Sequence, residues 1–278
     1  MVENVNVPET NEKDIQNKVI ELLKKVGYKF IPRGEMESFP NYRLNYNDTL
    51  LRGVLKEQLA KMNSFEYKGK TYKFSNQNLE EAIKRLDLSL DGGLAFTNEE
   101  IYKTLMNGTS LSENVNGDRK SYTLKYIDFE NIENNVFHFT EEFSVERKVK
   151  IEQLKFDRPD LVLFINGIPF CVIELKSNLK PVTEGISQMI RNQRNIDIPH
   201  LFKFIQIVIA GNQQDVKYAT VNTPEKFWSV WKEEEDLLSD LQKLISDRKI
   251  TKLDEDVYSL LKLDRVVDII RNYTLFDR

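Results

Sequence analysis

The sequence is poor in the residues that staple small folds, with one cysteine, two histidines and eight prolines in 278 residues. Its lone cysteine, Cys171, excludes an internal disulfide framework and a multi-cysteine zinc site. Cys171 sits in the apolar run Gly-Ile-Pro-Phe-Cys-Val-Ile at 167–173, which predicts a buried structural thiol rather than a nucleophile. His138 and His200 are far apart in sequence and have no metal-ligand spacing. No apolar run approaches the ~20 residues needed to cross a membrane, and the opening Met-Val-Glu-Asn-Val-Asn has no apolar signal core. A soluble cytoplasmic protein with no membrane partner is expected. An excess of one charge is also missing, since 40 basic residues against 44 acidic ones leave −4. That balance excludes a uniformly basic coat for nucleic acid, but it leaves room for a local basic groove. With 40% hydrophobic and 10% aromatic residues, the chain has enough apolar surface to bury a core in one large domain or two small ones.

Ile15, Val19, Leu22, Leu23 and Val26 recur at helical spacing, predicting a helix over 11–26 that stops at Gly27. A second helix is expected after Asn47-Asp48-Thr49, with Leu51, Val54, Leu55, Leu59 and Met62 on its apolar face. Residues 65–74 read as a hairpin turning at Gly69. Helices are expected over 76–87 and 98–107, the latter opened by a Thr97–Glu100 capping box and closed by Gly108. From about residue 121 the period changes, and 121–128 and 136–145 look like strands. The runs Leu161–Ile165 and Ile168–Ile173 are apolar on both faces and flank Asn166-Gly167, which predicts a central hairpin covered from both sides. A crossover helix over 183–195, strands over 204–210 and 215–221, and helices from Pro224 to Leu275 complete the pattern. That last part opens on the acidic run 233–236. An α/β core with a helical periphery fits this order.

Gly69-Lys70-Thr71 resembles the end of a phosphate-binding loop. Ser64, however, stands where that motif needs a glycine, and the triplet lies between short strands. It reads as a turn, so no nucleotide-hydrolysing motor is expected in this chain.

The residues that can carry chemistry are Asp160, Glu174 and Lys176. Glu174 and Lys176 are two apart on a strand and so share a face. A regular two-residue turn at Asn166-Gly167 would pair Asp160 with Ile173 and point it to the opposite face. A three-residue turn with Gly167 as a bulge would pair it with Val172 instead. That register sets Asp160 and Glu174 as diagonal neighbours, with Cβ atoms roughly 7–8 Å apart. A common site therefore requires an odd-length loop or a bulge. Two carboxylates on one face suit Mg²⁺, and a neighbouring lysine can orient a water or steady charge on a phosphate. The bland alternative is a strand that simply ends in solvated charges, although charges at the ends of buried strands need a partner, a cleft or a metal.

The stretch from Arg158-Pro-Asp through Asn-Gly-Ile-Pro-Phe-Cys-Val-Ile-Glu-Leu-Lys176 resembles the nuclease signature of type I restriction enzyme R subunits. Those subunits belong to the PD-(D/E)xK endonuclease superfamily. The similarity extends to the helix Ile15–Tyr28 and to Asp268-Ile-Ile-Arg-Asn-Tyr-Thr-Leu-Phe near the end. The resemblance implies an α/β fold with a PD-(D/E)xK mixed sheet flanked by helices. Residues 1–120 would be mainly helical and hold the first helix of the nuclease, 121–225 the catalytic core, and 226–278 a helical part leading to helicase motors.

The resemblance further implies Mg²⁺-dependent cleavage of double-stranded DNA, with Asp160 and Glu174 as metal ligands and Lys176 as the catalytic lysine. Gln188 matches the glutamine of the family's Gln-x-x-x-Tyr motif, while Asn192 occupies the tyrosine position. On the first helix Glu12 is a possible counterpart of an assisting acid, and Gln16 stands where another acid is expected. Arg147, Lys148, Lys150, Lys155 and Arg158 before the site, and Lys180, Arg191 and Arg194 after it, supply local positive charge. In that family the R subunit is larger, uses ATP in two helicase-like domains, and assembles with methyltransferase and specificity subunits. The chain reaches Arg278 about where those motors begin and has no Walker motif, so it reads as an N-terminal fragment. Two other readings stay open: a nuclease fold kept as a docking module without catalysis, and a stand-alone repair nuclease.

Overall fold

Two successive runs that are apolar on every residue can be stable only when covered from both faces. They form β9 (Leu161–Ile165) and β10 (Ile168–Leu175), both wholly buried at the centre of a six-stranded mixed sheet. The computed structural model describes residues 11–151, 154–233, 235–274 and 276. In chain order the elements begin with α1 (Glu12–Val26), β1 (Lys29–Ile31), α2 (Arg33–Met36) and α3 (Arg52–Met62). The hairpin β2 (Phe65–Tyr67) and β3 (Lys70–Tyr72) precedes α4 (Asn76–Leu86) and α5 (Leu94–Asn107). A second hairpin, β4 (Thr109–Val115) and β5 (Asp118–Leu124), leads to β6 (Phe137–Glu141) and a third hairpin, β7 (Val145–Ile151) and β8 (Leu154–Asp157). After β9 and β10 come α6 (Val182–Asn192), α7 (Pro199–Phe202), β11 (Ile207–Gly211) and β12 (Val216–Ala219). The chain closes with α8 (Glu235–Leu244), α9 (Lys252–Leu261) and α10 (Leu263–Asn272).

The sheet order is β1-β6-β9-β10-β11-β12, with β1–β6 and β10–β11 parallel and the other pairs antiparallel. Its two faces build two cores. Leu161, Leu163 and Ile165 pack with α1, α9 and α10, whereas Val162, Phe164 and Val172 pack with α6. The α1 helix is capped as its sequence predicts: Asn11 accepts from the Asp14 N–H, and Gly27 ends the helix at φ 117°.

The central hairpin resolves the register question. Asn166 and Gly167 form a two-residue turn with φ of 53° and 85°, and Ile168 pairs with Ile165. Past Pro169 the register shifts, so that Cys171 faces Leu163 and Ile173 faces Leu161. Phe170 is the extra residue of this β-bulge, and Phe170 and Cys171 both join the core on the α1 side, which a regular strand forbids. Continued by one residue, the pairing sets Asp160 opposite Glu174. The partner is therefore neither Ile173 nor Val172. The turn has two residues, and the bulge supplies the change of face.

Several boundaries differ from the sequence pattern. Helix α5 starts at Leu94 behind Gly93, so the Thr97–Glu100 capping box does not form. Thr97 lies inside the first turn and its hydroxyl donates to Ser89 O. Strand β4 and the hairpin β7–β8 were not anticipated. The stretch expected as one strand over 136–145 breaks after Glu141, at Glu142 with φ 49°. Strand β11 begins at Ile207, because Phe204 and Ile205 still bond back to Leu201 and Phe202. Glu234 of the acidic run, Leu275 and Arg278 lie outside the described residues.

Gly167 has no room for a side chain, since a Cβ there would sit 2.6 Å from Leu51 O and 3.0 Å from Leu55 N. Gly69 shares its positive φ, but a Cβ there would meet open space. Gly69→Ala should therefore cost about 1 kcal/mol, and Gly167→Ala at least about 2 kcal/mol more, as measured by urea unfolding. Equal losses would mean that the hairpin tip does not lock onto α3.

Candidate active site

Asp160 enters β9 behind Pro159, and three neighbours fix it. Its main-chain oxygen accepts from Glu142 N and from Gln16 Nε2, each at 2.9 Å. Its carboxylate accepts the Leu175 N–H at 2.6 Å. Glu174 is 1% exposed, and its Oε1 accepts from Lys176 Nζ at 2.7 Å. Glu174 Oε2 has no partner among the described residues. The Lys176 ammonium also donates to Leu175 O at 3.0 Å and lies 3.7 Å from Glu12 Oε1. The sequence-derived trio Asp160, Glu174 and Lys176 is thus brought together, with Glu12 at its edge.

Helix α6 lies directly over the trio. A Cβ on Gly185 would stand 3.7 Å from Glu174 Cγ and 3.6 Å from Lys176 Cγ. Gln188 follows one turn later, half-buried, and with Lys176, Lys180, Arg191, Arg194 and Glu12 it lines a cleft of about 600 Å³. Its side chain makes no hydrogen bond to the trio among the described residues. Asn192 is buried at the end of α6 and does not line the cleft.

The basic residues divide. Lys180, Arg191 and Arg194 face the cleft. Arg147 does not: it is buried, paired with Asp197, and 3.6 Å from Asp157. A guanidinium so enclosed cannot serve as a phosphate contact. Lys148, Lys155 and Arg158 are exposed, and the side chain of Lys150 lies outside the described residues.

The charges around the trio do not balance. Burial pushes the Asp160 carboxyl up to about 6, with Glu12 and Glu142 adding to the effect against the Leu175 N–H and Lys176. Burial and then the charge of Asp160 push Glu174 up to about 8, against the pull of Lys176. Burial opposes the Lys176 ammonium, but Glu174, Asp160 and Glu12 outweigh it and hold that group above the usual lysine range. One ammonium serves three neighbouring carboxyl groups. Among the described residues no cluster of three or more Asp, Glu, His or Cys side chains takes a metal-ligating geometry. The site offers a cation two carboxylates, one with an unpartnered oxygen, and a field short of positive charge. A hard divalent ion fits that donor set.

Two contributors escaped the sequence reading as supports of the site. Gln16 is buried and braces the backbone of Asp160, while its Oε1 accepts from Lys13 Nζ at 2.9 Å. Its signal was a polar residue one turn from Glu12 on the same helix. Gly185 allows α6 to approach, and its signal was a glycine inside a helix, where that residue normally costs about 1 kcal/mol relative to alanine.

Fold and site together define a mixed α/β protein with a pair of acids at the ends of its central strands, beside a cleft lined by lysine and arginine. Residues 9–227 match the family described as type I restriction enzyme R protein N terminus, and the chain belongs to that family. It is 27% identical over 277 residues to the "Putative type I restriction enzyme MjaIXP endonuclease subunit" of Methanocaldococcus jannaschii, covering 95% of this chain and 25% of that protein. A second protein of that organism, "Putative type I restriction enzyme MjaVIIIP endonuclease subunit", is 30% identical, covering 95% of this chain and 23% of its own length. The type I restriction enzyme HindI endonuclease subunit of Haemophilus influenzae is 22% identical, covering 96% of this chain and 24% of its own length. The chain thus spans about a quarter of the length of these relatives. No helix among the described residues is long and apolar enough to cross a membrane.

The two raised carboxyls fix a sign for pH dependence. The folded protein holds protons that the unfolded chain releases. Their stabilising effect without metal is therefore full below about pH 4 and is lost as pH rises through about 6 for Asp160 and about 8 for Glu174. Glu174→Gln cannot ionise, so relative to wild type it should gain at least about 1 kcal/mol between pH 5 and pH 8 in chelator. Urea unfolding at both pH values measures this, and a difference independent of pH would mean that Glu174 is charged throughout.

Proposed function

We propose that the chain is the Mg²⁺-dependent endonuclease domain of a type I restriction enzyme R subunit, with a PD-(D/E)xK fold. In this reading it hydrolyses phosphodiester bonds of double-stranded DNA after ATP-driven translocation by motor domains of the same subunit. Methyltransferase and specificity subunits are its partners in the assembled enzyme. The observation that carries the reading is the bulge-imposed alignment of Asp160 with Glu174, beside Lys176, which itself lines a cleft with Lys180, Arg191 and Arg194. Family membership and the relatives' names support the same class of activity.

Asp160 and Glu174 would hold Mg²⁺, which when bound neutralises phosphate charge and lowers the pKa of an attached water. The chain's own contribution is orientation. The Leu175 N–H and Gln16 fix Asp160, and burial fixes Glu174 in one geometry. Lys176 brings a cation to the phosphate oxygens and, near its nitrogen, holds or releases the proton of the attacking water. Lys180, Arg191 and Arg194 grip flanking phosphates, and Gln188 meets the strand at the cleft wall.

Calorimetric titration with MgCl₂ or MnCl₂ should show binding to the wild type that Glu174→Ala loses. No binding by wild type would end the metal reading. In the intact endonuclease subunit assembled with its partners, Asp160→Asn, Glu174→Gln and Lys176→Ala should each lower cleavage at least about a hundredfold while sparing translocation. Unchanged cleavage in all three variants would leave the docking-module reading.

Arg191→Ala combined with Arg194→Ala should weaken DNA binding uniformly across sequences. The same double variant should flatten the slope of log Kd against log salt by about 2. An unaltered slope would place the DNA away from α6.

A further inference from the structure

Beside the edge strand β12 lies a second concavity that shares no residue with the nuclease cleft. Two cavities of about 630 and 340 Å³ have Gln206, Thr220 and Thr274 as common walls and so adjoin as one slot. This size suits a small organic ligand.

Gln206 is 2% exposed. Its main-chain N–H donates to Phe170 O at 2.8 Å and its Nε2 to Phe204 O at 3.2 Å. Its Oε1 has no partner among the described residues. A buried acceptor in that state is unfavourable by a margin comparable to a lost hydrogen bond, unless something brought to it carries a donor. The aromatic wall is held in place independently. Trp231 Nε1 donates to Glu233 Oε2 at 3.1 Å, its carbonyl accepts from Lys252 Nζ at 3.3 Å, and its ring meets Tyr218 edge-on at 5.7 Å. The Arg265 guanidinium lies 5.9 Å from the Trp231 ring centroid, and Tyr273, 70% exposed, adds an open ring to the same slot. The rim charges are Arg265, already paired with Glu233 at 3.0 Å, and the acid Asp268. Among the described residues the slot therefore offers rings and an amide oxygen, with no unpaired cation for a phosphate.

We infer that this slot binds a nucleobase. A flat heteroaromatic ring stacks on the exposed Tyr273 and packs against the edge-on pair Trp231 and Tyr218, and its N–H supplies the donor that Gln206 Oε1 lacks. The polyphosphate end of a nucleotide finds nothing to hold it there. The base can come from a free nucleoside or from an unpaired position of a DNA strand, and both present the same ring and donor.

Trp228 and Trp231 are the two tryptophans of the chain, so Trp228→Phe leaves Trp231 as the single indole emitter. This protein is titrated with adenosine, guanosine, cytidine and thymidine, with a six-nucleotide single strand, and with an abasic strand of equal length. Saturable quenching by a nucleoside identifies the free ligand as the source. Quenching by the base-bearing strand alone identifies an unpaired DNA base. Gln206→Leu should weaken that binding about tenfold, as expected for the loss of a buried hydrogen bond. Tyr273→Ala, an exposed change that spares the fold, should weaken it by a similar factor. The inference is overturned if no probe quenches saturably, if the abasic strand quenches as well as the base-bearing one, or if neither substitution alters the binding.

Discussion

A buried carboxyl group, a buried ammonium and a second, half-buried carboxyl meet at the ends of the central strands, and much of the surrounding structure follows from accommodating them. Charged groups are driven to such a place only when geometry compels it, because desolvation opposes each of them. Here β10 compels it. Glu174 and Lys176 continue a strand whose preceding residues must be buried on both faces, so their stems are already committed to the interior. The lysine satisfies one oxygen of Glu174 and leaves the other without a partner. The site consequently favours protons on its carboxyls or a cation between them, and the second option is the chemical basis of the nuclease reading.

The helices that cover the sheet are shaped by the same constraint. Helix α1 fills the core on one face with Ile15, Val19, Leu22 and Leu23, and presents Glu12 and Gln16 to the strand ends. Helix α6 fills the other face with Val182, Ile186 and Met189, sets the small Gly185 against Glu174 and Lys176, and turns Gln188 and Arg191 into the cleft that Lys176 lines. Each helix thus joins an apolar stripe that stabilises the fold to a polar margin that builds the cleft. Behind them, Asn166 anchors the far end of the hairpin. Its amide donates to Tyr126 O and Asn135 Oδ1, and its oxygen accepts from Val136 N.

Much of this was legible in the chain because it rests on local rules. The period of α1 and its Gly27 stop, the Asn-Gly turn, and the doubly buried runs of β9 and β10 all follow from spacing and backbone freedom. Other features depended on partners that no local window contains. Arg147 reads as a solvent-facing base until Asp197 and Asp157 are brought around it by folding. Thr97 with Glu100 reads as a helix cap until packing extends α5 by a turn behind Gly93. Strands β4 and β7 carry many polar residues, and they are strands because a neighbour completes their hydrogen bonds.

By itself the sequence determined which charged side chains stand at the ends of the central strands. Asp160, Glu174 and Lys176 are the acids and the base that flank two buried strands, and the period of two places the latter pair on one face. It did not determine whether Asp160 joins them, because a change of one residue in register sends that carboxylate to the opposite side of the sheet. The bulge at Phe170 decided it. Phe170 and Cys171 both pack toward the α1 core while the carbonyl of Phe170 accepts from Gln206 on β11's approach, and neither contact exists before the sheet assembles. A side chain's identity is a property of the chain, but the face it occupies at a strand end is set by the packing of everything the strand touches.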